Sequence, residues 1–369
     1  MKNKILIIFF LYFYTTNIFA DNLNIQANTI SLDKDGMTST FKDDVVIKSK
    51  NNIIKSDYAK YNKKTGNILI KGNISATDDK GNLIKTEIGE YYDNTKILLT
   101  KGKTQITTSY KYILEGEDIK IDGNNKYISS QKNSNITDLD GNEIFIENFE
   151  YQVEKNIFKS IGKVKIIDNK NNNLEFSQIY IDTKKNEFLG TDIKAYLNDK
   201  NFKISNKNKP RVFSNNFISN KERSTFIKSV FTLCDYREKD KCPPWSIQSS
   251  KMLHDNKKKT IYYNNAVIKV YDIPILYIPR LSHPDPSVKR RSGFLPPTIS
   301  DTKNLGESIS VPYFFDIAED KNFTLTNRLF VSENPLFIGE YHQAFKDSFL
   351  MADFGYTEGY KKTSSTKKK

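Results

Sequence analysis

Ile68-Leu69-Ile70-Lys71-Gly72-Asn73-Ile74-Ser75-Ala76 is the stretch on which the fold turns. Ile68, Ile70, Gly72, Ile74 and Ala76 share one parity, and Leu69, Lys71, Asn73 and Ser75 share the other. A period of two puts apolar side chains on one face of a strand, whereas a helix would need a period of 3.6. The stretch follows Tyr61-Asn62, and the arrangement returns three times: Tyr92-Asp93 before Ile97 to Gly102, Tyr151 before Gly162-Lys163-Val164, and Tyr180 to Asp182 before Gly190. Gly72, Gly102, Gly162 and Gly190 stand 30, 60 and 28 residues apart, so one period has lost its glycine. Phe41 to Ile47 reads as an earlier, glycine-free copy. The unit is about 30 residues long and recurs about six times.

Asn-, Asp-, Lys- and Gly-rich turns separate the strands, such as Asp78-Asp79-Lys80-Gly81-Asn82 and Asp122-Gly123-Asn124-Asn125. Each unit supplies about two strands, whose apolar side must be covered by the next unit or by a facing sheet. The pattern predicts an elongated all-β stack. Glycine on its apolar face leaves room for a bend or a close backbone approach.

The 369-residue chain carries a net charge of +13 and 12% aromatic residues, with 24 Phe and 21 Tyr, too many for a disordered chain. Beyond the N-terminus no apolar run reaches the roughly 18 residues of a membrane helix, which excludes a helical membrane protein. Lys is spread evenly and Lys367 to Lys369 read as a solvated tail, so no nucleic-acid partner is expected. Lys2, Lys4, the apolar run Ile5 to Tyr14, and Ala20 read as a secretory signal peptide over residues 1–20. Export permits disulfides. Cys234 and Cys242 then form a local or longer-range disulfide, or stay as two free thiols. His254, His283 and His342 lack the close ligand spacing of zinc sites, and neither a metal nor a cofactor is expected.

From about residue 230 prolines punctuate short strands: Cys242-Pro243-Pro244-Trp245-Ser246-Ile247, Ile273-Pro274-Ile275-Leu276-Tyr277-Ile278-Pro279, and the basic turn Lys289-Arg290-Arg291 before Ser292-Gly293-Phe294-Leu295-Pro296-Pro297. Longer alternating runs follow at Glu307 to Phe315, Asn322 to Val331, Leu336 to Phe345 and Ser348 to Tyr356. Their length suits tilted transmembrane strands of about 9–11 residues, and an ordinary antiparallel sheet equally well. Four or five strands cannot close a membrane barrel of at least about eight. The expectation is the front part of a longer chain.

The stretch Cys234 to Pro297 resembles the outer-membrane lipopolysaccharide-assembly family (LptD, also called OstA or organic solvent tolerance). The matching words are Cys-x7-Cys-Pro-Pro-Trp-Ser-Ile, His254-Asp255, Tyr262-Tyr263-Asn264-Asn265-Ala266, Ile273 to Pro279, and Arg290-Arg291-Ser292-Gly293-Phe294-Leu295-Pro296. The 30-residue repeats resemble that family's periplasmic β-jellyroll. The resemblance implies a Gram-negative cell outer-membrane protein: signal peptide 1–20, β-jellyroll 21–288 in the periplasm, and the beginning of an incomplete transmembrane β-barrel at 289–369. It implies lipopolysaccharide transport without covalent chemistry. The lipid would come from a periplasmic bridge protein of similar repeats and leave through a barrel that opens sideways. A lipoprotein plug is a further implied partner.

Acyl chains would lie on the apolar face, with Ile68, Ile70, Ile74, Leu98, Ile106, Phe158, Val164 and Ile166 as lining. Pro296 and Pro312, placed in the first two barrel strands, match family prolines beside the lateral gate. Cys234 matches the family cysteine that bonds to the distal barrel, although the nearby Cys242 departs from the enterobacterial pattern and suggests a local bridge. Two other classes compete: a secreted β-solenoid enzyme acting on polysaccharide, and a periplasmic bridge or scaffold protein. The enzyme would need paired carboxylates in a groove. Asp43-Asp44, Asp78-Asp79 and Glu115 to Asp118 are instead read as turn residues.

Overall fold

The computed structural model describes residues 23–34, 36–49, 52–197, 210–233, 244–285, 288 and 290–359. The signal-peptide expectation and both cysteines lie outside them. Among the described residues the chain is all-β, with no helix. It divides into two compact units, Met1–Lys257 with Tyr262–Leu281, and Lys258–Ile261 with Ser282–Lys369.

One large antiparallel sheet contains β1 (Asn24–Gln26), β2 (Thr29–Leu32), β3 (Thr38–Ser49), β4 (Asn52–Asn62), β5 (Asn67–Thr77), β6 (Leu83–Tyr92), β7 (Ile97–Thr107), β8 (Ile113–Glu117), β9 (Lys120–Asp122), β10 (Tyr127–Ser130), β11 (Ser134–Thr137), β12 (Glu143–Ile146), β13 (Phe149–Gln152), β14 (Ile157–Ile167), β15 (Asn173–Asp182), β16 (Glu187–Tyr196), β17 (Arg211–Ser219), β18 (Arg223–Thr232), β19 (Trp245–Asp255), β20 (Thr260–Val270) and β21 (Ile273–Pro284). Strands β3 to β7 and β14 to β19 pair in chain order as a meander. Between them, β8/β9, β10/β11 and β12/β13 are three strands each broken in the middle. One half continues the ladder through β8–β11–β12 and the other through β9–β10–β13.

The break marks a bend that runs across the whole meander. Register slips fall between Lys42/Val45, Lys55/Tyr58, Lys71/Ile74, Thr86/Ile88 and Ile161/Val164. A bulge needs a residue that tolerates the left-handed region, which Gly, Asn and Asp do at least cost. Gly72 (φ 78) with Asn73 (φ 44), Gly102 (φ 76), Asp118 (φ 49), Gly162 (φ 119) and Asp192 (φ 53) occupy those places. Asp43 and Asp44 (φ 62 and 50) do so inside β3, so they bend a strand rather than form the expected turn.

Gly190 differs from the other repeat glycines. It does not bend its repeat, since Asp192 does; a Cβ on Gly190 would lie 2.3 Å from Cδ1 of Phe176, so the glycine makes room for a ring. In the period without glycine the strand is interrupted between β10 and β11. There Ser130 Oγ donates to the Glu117 carbonyl (2.9 Å), and Ser134 Oγ donates to that of Lys132 (3.1 Å).

The bend divides the meander into two walls, and each wall ends in a column of turns. In the first column backbone bonds link successive repeats: Asp93 N to Gly66 O (3.1 Å), Gly123 N to Lys96 O (2.9 Å), Val153 N to Lys126 O (3.0 Å) and Thr183 N to Asn156 O (2.9 Å). In the second column Asp78, Asp138 and Asp168 each hold their own turn by accepting from the backbone N–H groups two and four residues on. The Asn that closes each turn reaches onward: Asn82 Oδ1 accepts from Ser109 N and Asn142 Oδ1 from Asn169 N, both at 3.0 Å.

The second unit holds an antiparallel sheet of β22 (Gly293–Phe294), β23 (Thr298–Thr302), β24 (Gly306–Ala318), β25 (Lys321–Phe330), β26 (Leu336–Ala344) and β27 (Phe349–Tyr356). The last four coincide with the alternating runs read from the sequence. The first does not: β22 and β23 both pair with β24, and Pro296-Pro297 lies in the break between them, so Pro296 is outside any strand. Phe294 faces Tyr313 and Thr298 faces Ser310, which leaves three residues opposite two and makes a bulge.

Candidate functional site

The apolar interior lies between the two walls of the first unit. All eight residues proposed as lipid lining are buried there, and the bend sorts them four to a wall. Ile68, Ile70, Leu98 and Phe158 precede the bulge in their strands; Ile74, Ile106, Val164 and Ile166 follow it or its equivalent. Ile70 lies beside Ala59 and Gly89, Ile106 beside Ile84 and Leu114, and Val164 beside Ile146 and Phe176. The walls meet at a cavity of about 60 Å³ to which both contribute, Ile47, Ile54 and Ile84 from one and Leu98, Ile121 and Ile128 from the other.

Two features of this interior were missed by sequence reasoning. One is a change in chemistry along the repeats. Residues 68–144 bury chiefly Ile and Leu, whereas from Phe149 onward Phe rings join them: Tyr151 stacks on Phe158 (4.2 Å between centroids), Phe217 lies 5.6 Å from Phe176, and Phe226 lies 5.0 Å from Phe217. Counting Phe against Ile on the inward parity would have found it. Burial raises the Tyr151 and Tyr263 hydroxyl pKa values above the usual tyrosine range.

The other is a line of buried hydroxyls at the crease. Thr104 Oγ1 lies 2.8 Å from Thr100 Oγ1 and 3.1 Å from Thr86 Oγ1; Thr100 Oγ1 accepts from Ile119 N (2.9 Å); Ser214 Oγ donates to Ile227 O (2.6 Å); Ser229 and Ser249 are 2.8 Å apart. A bulge frees backbone groups that a buried site must satisfy, and small hydroxyls next to the bulge do this without filling the crease. Ser160 Oγ is buried in the same line and has no hydrogen-bond partner among the described residues. A wider open groove of about 1000 Å³ runs beside the crease, where Ile146, Val164 and Phe176 meet Glu147, Lys165 and Glu175. Its charges are mixed and give no strong preference for an anion or a cation.

In the second unit, Pro312 lies in the middle of β24. Its carbonyl accepts from Leu295 N (3.0 Å), so its backbone faces β22, and toward β25 it sits opposite Thr326 without exchanging bonds. The N–H that proline lacks is therefore missing from the β22 side only, next to the Pro296-Pro297 break. The two prolines are brought together, and both weaken the same pairing. Arg290, from the basic turn, is spent on packing: it donates to the carbonyls of Glu319 (2.6 Å) and Lys321 (3.3 Å) and pairs with Asp316 (3.1 Å), fixing the β24–β25 turn.

No family model matches the chain. Among curated proteins it is similar to the "LPS-assembly protein LptD" of Paraburkholderia xenovorans, 39% identical over 108 residues, which is 29% of this chain and 13% of that protein. The LptD of Francisella tularensis subsp. holarctica is 34% identical over 129 residues, 33% of this chain and 14% of that one. Over that stretch the chain is a homologue of LptD. The match spans about a seventh of the length of its LptD relatives. Among solved structures, LptH of Pseudomonas aeruginosa, described as the LptA-homologous periplasmic component of a lipopolysaccharide transport device, covers 46% of this chain and 82% of its own at 13% identity, with a TM-score of 0.15. The fold described above rests on the strand register of this chain and not on that likeness.

Proposed function

We propose that the chain is the N-terminal part of an outer-membrane lipopolysaccharide-assembly protein, and that lipid passes between the walls of the repeat unit on its way to a laterally opening barrel. The observation that carries this is the homology to LptD, joined to an exported-type repeat whose two walls turn chiefly apolar side chains and hydroxyls toward each other. In this reading residues 21–288 form a periplasmic β-jellyroll and residues 289–369 begin the barrel. Ile68, Ile70, Ile74, Leu98, Ile106, Phe158, Val164 and Ile166 contact acyl chains, where about 0.8 kcal/mol per buried methylene is available. Pro296 and Pro312 keep the first barrel pairing weak beside the gate. Cys234 bonds either to Cys242 or to a distal barrel cysteine. A bridge protein of the same repeat class delivers the lipid, and an outer-membrane lipoprotein plugs the barrel.

The test is photocrosslinking in the exported chain, with a photoreactive residue at Ile70, Leu98 or Val164 and at Lys71 as a control on the polar face. Lipopolysaccharide adducts at the three interior positions and none at Lys71 are expected. A folded chain without adducts, or with equal adducts at Lys71, refutes the proposal.

A further inference from the structure

The lipid path proposed above needs a way in, and where the walls meet at Ile47, Ile84 and Leu98 the interior offers little room. The cavity between the walls is about 60 Å³, less than half of the ~150 Å³ that holds one benzene in an apolar protein cavity. Either the crease or the seam between the two turn columns must open. The crease is continuous backbone: the chain crosses it in every repeat, either within a strand or between two half-strands, and Ser and Thr hydroxyls line its bulges. The seam is crossed by side chains.

One of those crossings is out of pattern with the repeats. In three turns of the second column the closing residue is Asn: Asn82, Asn142 and Asn172. In the fourth, Thr108 to Tyr112, that place belongs to Tyr112. Its backbone keeps the turn, with Thr108 N donating to Tyr112 O (2.9 Å) and Tyr112 N to Thr108 Oγ1 (3.1 Å). Its side chain leaves the column. The hydroxyl donates to Oδ1 of Asn186 at 2.5 Å, in the opposite column 74 residues away, and Asn186 Nδ2 donates back across the seam to Asp140 (3.3 Å). Tyr112 is fully buried, and burial together with Asp138, Asp140 and Asp182 raises its pKa, so the hydroxyl stays a donor at neutral pH. Further along, Lys126 and Asp79 form a partly exposed ion pair of 3.5 Å between the same two columns.

We infer that Tyr112, with Asn186 and Asp140, is a latch that holds the seam shut, and that an acylated ligand enters the interior by releasing it. The inference rests on the lipid-path reading of the interior, but the latch can be measured without a lipid. The hydrogen bond from the Tyr112 hydroxyl to Asn186 can be removed while the buried ring stays packed between the walls.

The test uses hydrogen exchange on the exported chain together with the rate at which a photoreactive residue at Ile70 captures purified lipopolysaccharide, in the native protein, in Tyr112→Phe and in Tyr112→Asn. Tyr112→Phe keeps the ring and loses the bond; Tyr112→Asn restores the residue used by the other turns. Exchange in the turns at 138–142 and 183–187 is expected to rise about five-fold in Tyr112→Phe, the factor that one net hydrogen bond amounts to, with the strands at the crease unchanged and capture at Ile70 faster in step. Unchanged exchange in both variants overturns the latch. Faster exchange with capture present but no faster overturns its place on the lipid's route. Faster exchange with no capture in any form, native included, upholds the latch and refutes the lipid path instead.

Discussion

Adding a single methyl group at Gly190 tests whether the walls are packed as tightly as the geometry says. Gly190 is not in the left-handed region, so Ala suits its backbone, and Gly→Ala at an unstrained site stabilises a protein by about 0.4–1 kcal/mol through the unfolded state. Against this, the new Cβ would lie 2.3 and 2.5 Å from Cδ1 and Cε1 of Phe176. That ring is buried and is itself held by Phe217, which leans on Phe226. Because the ring must give up its contact with Phe217 to move, overpacking costs about 1–3 kcal/mol, more than the gain. Gly190→Ala should therefore lower stability by about 1–2 kcal/mol, or the melting temperature by roughly 2–8 °C for a unit of this size. Denaturant and thermal unfolding of the purified chain measure it. Phe176→Leu should cost stability alone and relieve Gly190→Ala in the double variant, so the two effects are non-additive. A neutral or stabilising Gly190→Ala, or strict additivity, would show that Phe176 has room and that the wall is loosely packed there.

Pro312→Ala restores an N–H on the side of β24 that faces β22 and should strengthen that pairing by about 0.5–1.5 kcal/mol; slower hydrogen exchange at Leu295 than in the native protein, with a protected new amide at the substituted position, is the readout, and slowing toward β25 instead would refute the assignment of its free side. Arg290→Lys should loosen the turn at Glu319 to Lys321 by about 1 kcal/mol, because an ammonium cannot span two carbonyls and the Asp316 carboxylate as a planar fork does and the site is one-third exposed; local exchange that matches the native protein would contradict it. Asp118 is held below the usual carboxylate range by the Lys132 ammonium and by Gly102 N, and Lys132 is raised in turn. The contribution of Asp118 is thus present above its unfolded pKa and lost as pH falls through its lowered value, while that of Lys132 is lost as pH rises through its raised one. NMR titration of Asp118 should show the depression, with Lys132→Ala moving it back up and added salt shrinking it.

Much of this protein is determined by the sequence alone. Alternation at Ile68 to Ala76 and its recurrence fixed strand, repeat length and inward face, because side-chain direction in a strand depends only on parity; the eight interior residues and the four long strands of the second sheet follow from it. Parity fails at a bulge, which inserts one residue and is set by register between strands rather than along one. For that reason Asp43-Asp44 pass for a turn, and Pro296 for a strand residue, when the sequence is read alone. The hydroxyl crease has the same cause: Thr86, Thr100 and Ser214 look like polar interruptions until the bend shows which backbone groups they face. The seam lay furthest from reach. Tyr112 and Asn186 are 74 residues apart, and only the closing of two walls around an apolar interior brings a hydroxyl of one repeat against an amide of another.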